Sequence, residues 1–251
     1  MAKWVEGVVV NNRRWTDTLH SLQIDAQVAP FEAGQFTKLA LKIDGELVAR
    51  PYSFVNAPQR SPLEFYLITV PGGPLSERLV TLKTDEPIWV APKAAGFLTL
   101  AELPDAENLW MLSTGTAIGP FLSILHTGEP WGRFKKIILV HAVRTAAELT
   151  YQAEIQQLYK KYGEQFVMVP FVSREDTDYA IKGRVPAAIR DGSLEQRAGA
   201  ALTAEHSQVM ICGNPSMVED TSGVLQERGL KKNQRRDPGQ ITAENYWKLS
   251  G

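Results

Sequence analysis

In the first hundred residues apolar and polar positions alternate almost one for one. Leu22, Ile24 and Ala26 are interleaved with Ser21, Gln23 and Asp25. Leu39, Leu41 and Ile43 alternate with Lys38, Ala40 and Lys42, and Asp44-Gly45 then supplies a tight hairpin turn. Further extended runs cover residues 5–10, 47–55, 63–70 and 87–91, separated by turns rich in Pro and Gly. This pattern predicts about six short strands and little helix, a series that removes its exposed edges by closing into a barrel.

The rhythm changes near Pro104. An apolar strand over 109–112 leads into Ser113-Thr114-Gly115-Thr116 and a helix-like stretch at 121–125. Residues 136–143 form another buried-strand run, followed by 146–162 with helical spacing at Leu149, Ile155, Leu158 and Tyr159. Runs at 166–172 and 208–212 repeat the strand pattern, each with a polar turn and a helix after it. Strands alternating with helices imply a parallel sheet buried on both faces. The predicted architecture is an N-terminal antiparallel six-stranded β-barrel over residues 1–103, then a doubly wound parallel α/β domain over 104–251. Residues 230–240 read as a solvated surface segment, with Lys231-Lys232 and Arg235-Arg236 its charge cluster.

Composition narrows the function classes. Lys plus Arg is 27 and Asp plus Glu 28, a net charge of −1 that argues against a nucleic-acid partner. The single cysteine, Cys212, excludes an internal disulfide, a multi-thiolate zinc site and an iron–sulfur cluster held by this chain; no metal is called for. No apolar stretch approaches the roughly 18–20 residues of a spanning helix, so no membrane is expected. The N-terminus, broken by Glu6 and Gly7, is unlike a signal peptide, and a cytoplasmic location and a monomer are the expectations.

In open parallel sheets ligands sit at the carboxyl ends of the strands, and three groups of residues fall there. The first is the small-residue run Thr114-Gly115-Thr116-Ala117-Ile118-Gly119-Pro120, which would let a helix N-terminus approach a phosphate closely. It matches neither standard phosphate-loop fingerprint, and an ordinary strand–helix turn fits it equally well. The second is basic: Arg144 ends one strand, Ser173-Arg174 ends the next, and Arg184 follows Gly183. A guanidinium binds phosphate in two-pronged fashion, so arginine where NAD sites carry an acidic residue points to the 2′-phosphate of NADP. The competing reading pairs Arg144 with Glu148, and Arg174 with Glu175 or Asp176, on the surface. The third group is Cys212-Gly213-Asn214-Pro215. A buried cysteine is usually a small hydrophobe, and no histidine stands nearby in sequence to act as its base.

The first half carries Arg50-Pro51-Tyr52-Ser53, a cation, a flat ring and a hydroxyl within four positions. Arg50 and Tyr52 share one face of an extended strand, which suits a ligand with both a pyrophosphate and a flat ring system. A strand with an exposed arginine and a packed tyrosine is the alternative. The motif resembles the RxYS flavin motif of the ferredoxin–NADP reductase family. Thr114 to Pro120, Val172-Ser173-Arg174 and Cys212-Gly213-Asn214-Pro215 follow in that family's order and spacing. The resemblance runs from Trp4 to Trp247; the bacterial flavodoxin/ferredoxin–NADP reductases share Ala94-Ala95-Gly96-Phe97 and an aromatic terminus like Tyr246-Trp247.

The resemblance implies a FAD-dependent enzyme using NADP(H), with hydride transfer at flavin N5 and single electrons passed to ferredoxin or flavodoxin. It implies that Arg50 and the neighbouring Pro51 hold the FAD pyrophosphate side, Tyr52 stacks on the isoalloxazine, Ser53 hydrogen-bonds near N5, and Tyr66 contacts FAD. Pro74, Leu75 and Ser76, in the turn after the fifth strand, would add phosphate contacts. Thr116 would stand where nicotinamide and flavin meet. Val143, Arg144, Ser173, Arg174 and Arg184 match positions on the adenosine 2′-phosphate side, and Ile211, Cys212 and Gly213 the nicotinamide side. Tyr246 would cover the flavin and Trp247 the adenine, making Ser53, Cys212 and Tyr246 the candidate catalytic residues. The alternatives are a reductase of the same fold serving an oxygenase or free flavin, and a non-catalytic nucleotide-binding module.

Overall fold

The computed structural model describes residues 4–246. The first half folds as predicted into six strands: β1 (Val5–Arg14), β2 (Leu19–Asp25), β3 (Phe36–Ile43), β4 (Glu46–Ser53), β5 (Leu63–Ile68) and β6 (Pro87–Val90). They form one antiparallel sheet in the order β4-β3-β6-β1-β2-β5. A bridge between Phe54, just past β4, and Phe65 of β5 joins the two ends, and the Val55 N–H donates to the Glu64 carbonyl at 2.8 Å. The sheet thus closes on a core that includes Val9, Leu22, Ile24, Leu39, Phe54 and Phe65. The β3–β4 hairpin turns on Asp44 and Gly45 alone, both with positive φ (51° and 86°), as a two-residue primed turn requires.

One helix interrupts the barrel where only a turn was expected. After Pro71-Gly72-Gly73 the chain forms α1 (Pro74–Leu79), with Pro74 at its start and Leu75 and Leu79 fully sunk in the core. Proline suits this position, since its missing N–H is one the first turn leaves unpaired. Helix α1 packs against β3 and β4.

The second half contains β7 (Asn108–Thr114), α2 (Ile118–Leu125), α3 (Glu129–Arg133), β8 (Lys136–Val143), α4 (Gln152–Tyr162) and β9 (Phe166–Val172). It continues with β10 (Ile181–Lys182), α5 (Val185–Arg190), α6 (Ser193–Ala198), β11 (Ser207–Gly213), α7 (Pro215–Glu227) and β12 (Ile241–Asn245). All strands are parallel, in the order β10-β9-β8-β7-β11-β12. Trp110, Leu112, Ile138, Val140, Val169, Phe171, Val209 and Ile211 project to one face, where side chains of α5, α6 and α7 bury them. Ser113, His141 and Cys212 occupy the alternate face, because successive strand residues point to opposite sides.

Two local expectations are corrected. The helix expected over 146–162 begins only at Gln152, because Tyr151 takes a left-handed conformation (φ 58°) and residues 146–148 form a separate short turn. The Arg144 and Ala146 N–H groups there go to the Glu148 and Glu175 carboxylates, which diverts them from a helical ladder. Strands β10 and β12 at the sheet edges were not anticipated. Finally, the chain divides into two compact units that are not contiguous in sequence. One runs up to Thr99 and includes Gly119–Thr127; the other holds Leu100–Ile118 and the chain from Gly128 on. Within the first unit, the Ser123 hydroxyl donates to the Asn56 carbonyl at 2.8 Å, and Gly119 lies against Val55 and Tyr66.

Candidate active site

In the first unit, strand β4 carries Arg50, Pro51, Tyr52 and Ser53. Its ladder with β3 pairs Thr37 with Tyr52 and Leu39 with Arg50, which puts the cation and the ring on one side. Arg50 is exposed, and its Nη1 donates to the carbonyl of Ala49 at 2.7 Å. Tyr52 is half-buried; burial pushes its phenol up to about 12 against the opposing pull of Arg50, so the hydroxyl keeps its proton. Ser53, next along the strand, is only 8% exposed.

Helix α1 brings Pro74, Leu75 and Ser76 beside the strand that carries this motif. Their side chains are not the contacts to expect. Leu75 is in the core, and the Ser76 hydroxyl is committed, accepting from the Val70 N–H at 3.0 Å and lying 3.3 Å from the Gly73 carbonyl. What the first turn offers outward is backbone N–H. Tyr66, on β5, is buried at 4% exposure, leaving little of its ring for any ligand.

In the second unit, the expected residues gather at the carboxyl end of the sheet. Ser173 N–H donates to the Val143 carbonyl at 3.1 Å and its hydroxyl to the same oxygen at 3.2 Å; Arg174 N–H donates to the Arg144 carbonyl at 2.9 Å. Val143 itself is buried. Backbone bonds thus hold the two strand ends together and present Arg144 and Arg174 side by side, with Arg184 just ahead of α5. All three arginines are exposed, and none forms an ion pair with a described residue. The surface pairing weighed against phosphate binding is absent: Glu148 takes the Arg144 backbone N–H, Glu175 takes that of Ala146, and Asp176 pairs with Lys182 at 2.7 Å.

The neighbouring turns form the remainder. Gly213 has φ 136°, and a Cβ on it would stand 2.1 Å from the Thr114 hydroxyl, so only glycine fits. That hydroxyl accepts from the Asn214 N–H at 3.0 Å, while the Asn214 side chain caps α7 through the Ser216 N–H at 2.9 Å. Tyr246, directly after β12, donates its N–H to the Gly213 carbonyl at 3.1 Å and its hydroxyl to the Thr116 carbonyl at 3.1 Å. Thr116, Gly213 and Tyr246 therefore stand together. Trp247 and residues 248–251 lie outside the described residues.

Cys212 and its neighbour Ile211 are fully buried. Burial, reinforced by the Glu244 charge, holds the Cys212 thiol well above its usual range, so a nucleophilic thiolate is disfavoured. A histidine does stand in this part of the sheet, which sequence spacing did not reveal. His141 of β8 pairs with Ser113 of β7, which in turn pairs with Cys212. It is fully buried, and its Nε2 donates to the Gly115 carbonyl at 3.0 Å.

A closed antiparallel barrel followed by a parallel α/β unit with unpaired cations at its strand ends defines a two-unit, nucleotide-dependent oxidoreductase. Residues 111–223 match the family model of the oxidoreductase NAD-binding domain. Flavodoxin/ferredoxin–NADP reductases of Escherichia coli (strain K12) and Shigella flexneri are each 52% identical over 248 residues, covering 98% of this chain and 100% of those proteins. A crystal structure of a ferredoxin NADP+ reductase from Neisseria gonorrhoeae with bound FAD and NADP superposes with a TM-score of 0.93 at 32% identity, covering 98% of this chain and 100% of that one. The chain belongs to the flavodoxin/ferredoxin–NADP reductase family.

Proposed function

We propose that this chain holds FAD on its first unit and NADP(H) on its second, and passes electrons between NADP(H) and a flavodoxin or ferredoxin. The observation that carries the reading is the trio Arg144, Arg174 and Arg184, three exposed guanidiniums at successive strand ends without a carboxylate partner among the described residues. Three unneutralised cations within one ligand-facing edge suit a phosphate, and the 2′-phosphate is the group that separates NADPH from NADH.

The β4 side chains fit the other cofactor. Arg50 supplies an exposed cation for a pyrophosphate, Tyr52 a flat and neutral ring for stacking, and Ser53 a nearly buried hydroxyl next along the strand. The first-turn N–H groups of α1 would serve the phosphates in place of the Ser76 hydroxyl. Bound FAD supplies the exchange between two-electron and one-electron chemistry. The protein's own part is to bind and orient. Tyr246 occupies the space beside Thr116 and Gly213 that a nicotinamide would need, so its phenol must leave the Thr116 carbonyl before the reduced ring settles there. While it stays, it keeps water out. Cys212, buried and protonated, acts through its bulk under that turn and not as a nucleophile.

Among the described residues no helix is long and apolar enough to cross a membrane. We take the enzyme to be a cytoplasmic monomer, which sedimentation of the purified protein would check. The purified protein should be yellow with a flavin absorption spectrum, oxidise NADPH far faster than NADH, and reduce flavodoxin or ferredoxin. A colourless protein that takes up no FAD on reconstitution would overturn the reading.

A further inference from the structure

We propose that His141 is a positioning residue: its bond to the Gly115 carbonyl sets the place of the Gly115–Thr116 turn from which Tyr246 must be exchanged for nicotinamide. This deepens the reading above and rests on it. Burial alone does not explain a histidine here. The residue lies in the middle strands of a parallel sheet, in the apolar run Ile137-Ile138-Leu139-Val140, where a leucine or methionine would fill the space at less desolvation cost. Its Nδ1 is buried without a hydrogen-bond partner in the structure, so the ring is kept despite one unsatisfied nitrogen. The return for that cost is the single bond from Nε2–H to Gly115.

Gly115 is where such a bond has leverage. Its φ of 55° reverses the chain between β7 and the turn at Gly115–Ala117, and glycine itself brings no side chain to restrict that conformation. His141 holds the Gly115 carbonyl; Tyr246 holds the next one, that of Thr116. Two consecutive carbonyls thus each accept from one side chain, besides the Ile118 backbone N–H that both share. When the Tyr246 phenol leaves, the His141 bond remains as the side-chain hold on the turn, beside that backbone contact. The ring is suited to it, because burial lowers its basicity to about 4 and leaves it neutral with the proton on Nε2 at working pH.

The test uses the FAD-loaded full chain and the variants His141→Leu, His141→Gln and His141→Asn beside the wild type. The glutamine amide N–H can reach where Nε2 stands; the asparagine amide is one bond short of it. With ferricyanide as acceptor, His141→Leu and His141→Asn should lower kcat about ten-fold with little change in KM for NADPH, and His141→Gln should restore most of the rate. Hydrogen exchange of the amides at 115–117 should quicken in the leucine and asparagine variants and stay protected in the glutamine one. Calorimetric affinity for 2′,5′-ADP, which carries no nicotinamide and engages the adenosine 2′-phosphate side, should hold within about two-fold in all. Unchanged kcat and exchange in the leucine and asparagine variants would overturn the proposal. Equal behaviour of Gln and Asn, or parallel loss of 2′,5′-ADP affinity, would assign His141 a purely structural role and overturn it likewise. A wild type that neither binds 2′,5′-ADP nor oxidises NADPH would instead overturn the functional reading.

Discussion

In the first unit several of the residues proposed to meet a ligand are sunk in the barrel: Ser53, Tyr66, Leu75 and Ser76 are buried and Tyr52 half so, while Arg50, Pro51 and Pro74 stand clear. In the second unit the basic cluster at the strand ends is the opposite, although Thr116, Val143, Ile211 and Cys212 are buried there too. Arg144, Arg174 and Arg184 are exposed, and their strand ends are fixed by backbone bonds while the guanidiniums remain unengaged. A ligand held by the first set gives up most of its surface to fixed groups and should leave slowly. A ligand held by the second meets charge on long side chains, which attracts it quickly and lets it go. The contrast suits a resident cofactor on one side and an exchanging one on the other.

The largest expected effect falls on the exposed side. The double change Arg144→Ala and Arg174→Ala removes two charge-assisted contacts of roughly 1.5–3 kcal/mol each, which should raise KM for NADPH by about a hundred-fold or more. NADH, lacking the 2′-phosphate, should be almost unaffected in the same steady-state assay. Comparable losses with both nucleotides would mean that these arginines do not read the phosphate.

Next in size is an acid effect on the buried side chains. Between pH 6.5 and about 4 the unfolded chain binds a proton at His141 that the folded chain refuses, so the free energy of unfolding should fall as pH drops through that window. The full loss is about 3 kcal/mol, by the conversion of roughly 1.4 kcal/mol per pKa unit. His20 in the first unit, lowered by burial and by Arg14, contributes with the same sign. Urea titrations at stepped pH on wild type and His141→Gln would isolate the His141 share, which the variant should lack.

Smaller effects test the barrel. Arg50→Ala should weaken FAD retention by roughly 1.5–3 kcal/mol, read as a ten- to hundred-fold faster loss of flavin on dilution. Ser53→Ala should cost FAD binding only about 0.5–1.5 kcal/mol, while slowing hydride transfer in stopped-flow measurements. If Ser53→Ala loosened flavin as much as Arg50→Ala, the ordering of contacts within the motif would be wrong. The smallest effect is expected at the end of the chain: removing residues 248–251 should leave turnover and FAD affinity unchanged, whereas removal from Tyr246 onward should alter nicotinamide access.

These contrasts also mark what could be read beforehand. The barrel strands were visible because one buried face writes period two into Leu39-Ala40-Leu41-Lys42-Ile43, and the central parallel strands because burial on both faces leaves unbroken apolar runs such as 137–140. The polar turn after 208–212 announced a helix, and α7 follows there, capped by Asn214. Strand β12, Ile-Thr-Ala-Glu-Asn, lies at a sheet edge with one buried residue, Ile241, and so carries no periodic signature. Helix α1 spans six residues behind Pro71-Gly72-Gly73, where turn signals outweigh a single turn and a half of helix. Arg144 and Arg174 could be singled out because each directly follows a recognisable strand, and Arg50 because it lies on one. His141 was not, since its partner is a backbone carbonyl 26 positions earlier, and nothing in an apolar run distinguishes a histidine that holds a turn from one that fills a core. The inward commitment of the Ser76 hydroxyl was equally hidden, because it depends on Val70.

The non-contiguous make-up of the first unit bears on how the chain is made. Residues up to Thr99 leave the ribosome before Gly119–Thr127, and β7 of the second sheet lies between them. The Asn56 carbonyl and the Val55–Tyr66 wall therefore lack their last covering segment until translation has passed the start of the next unit. Nascent barrels must wait in an incomplete form, their vulnerability to aggregation or proteolysis set by elongation speed over that interval. A gene fragment ending at residue 103 would arrest the protein in the same unfinished state.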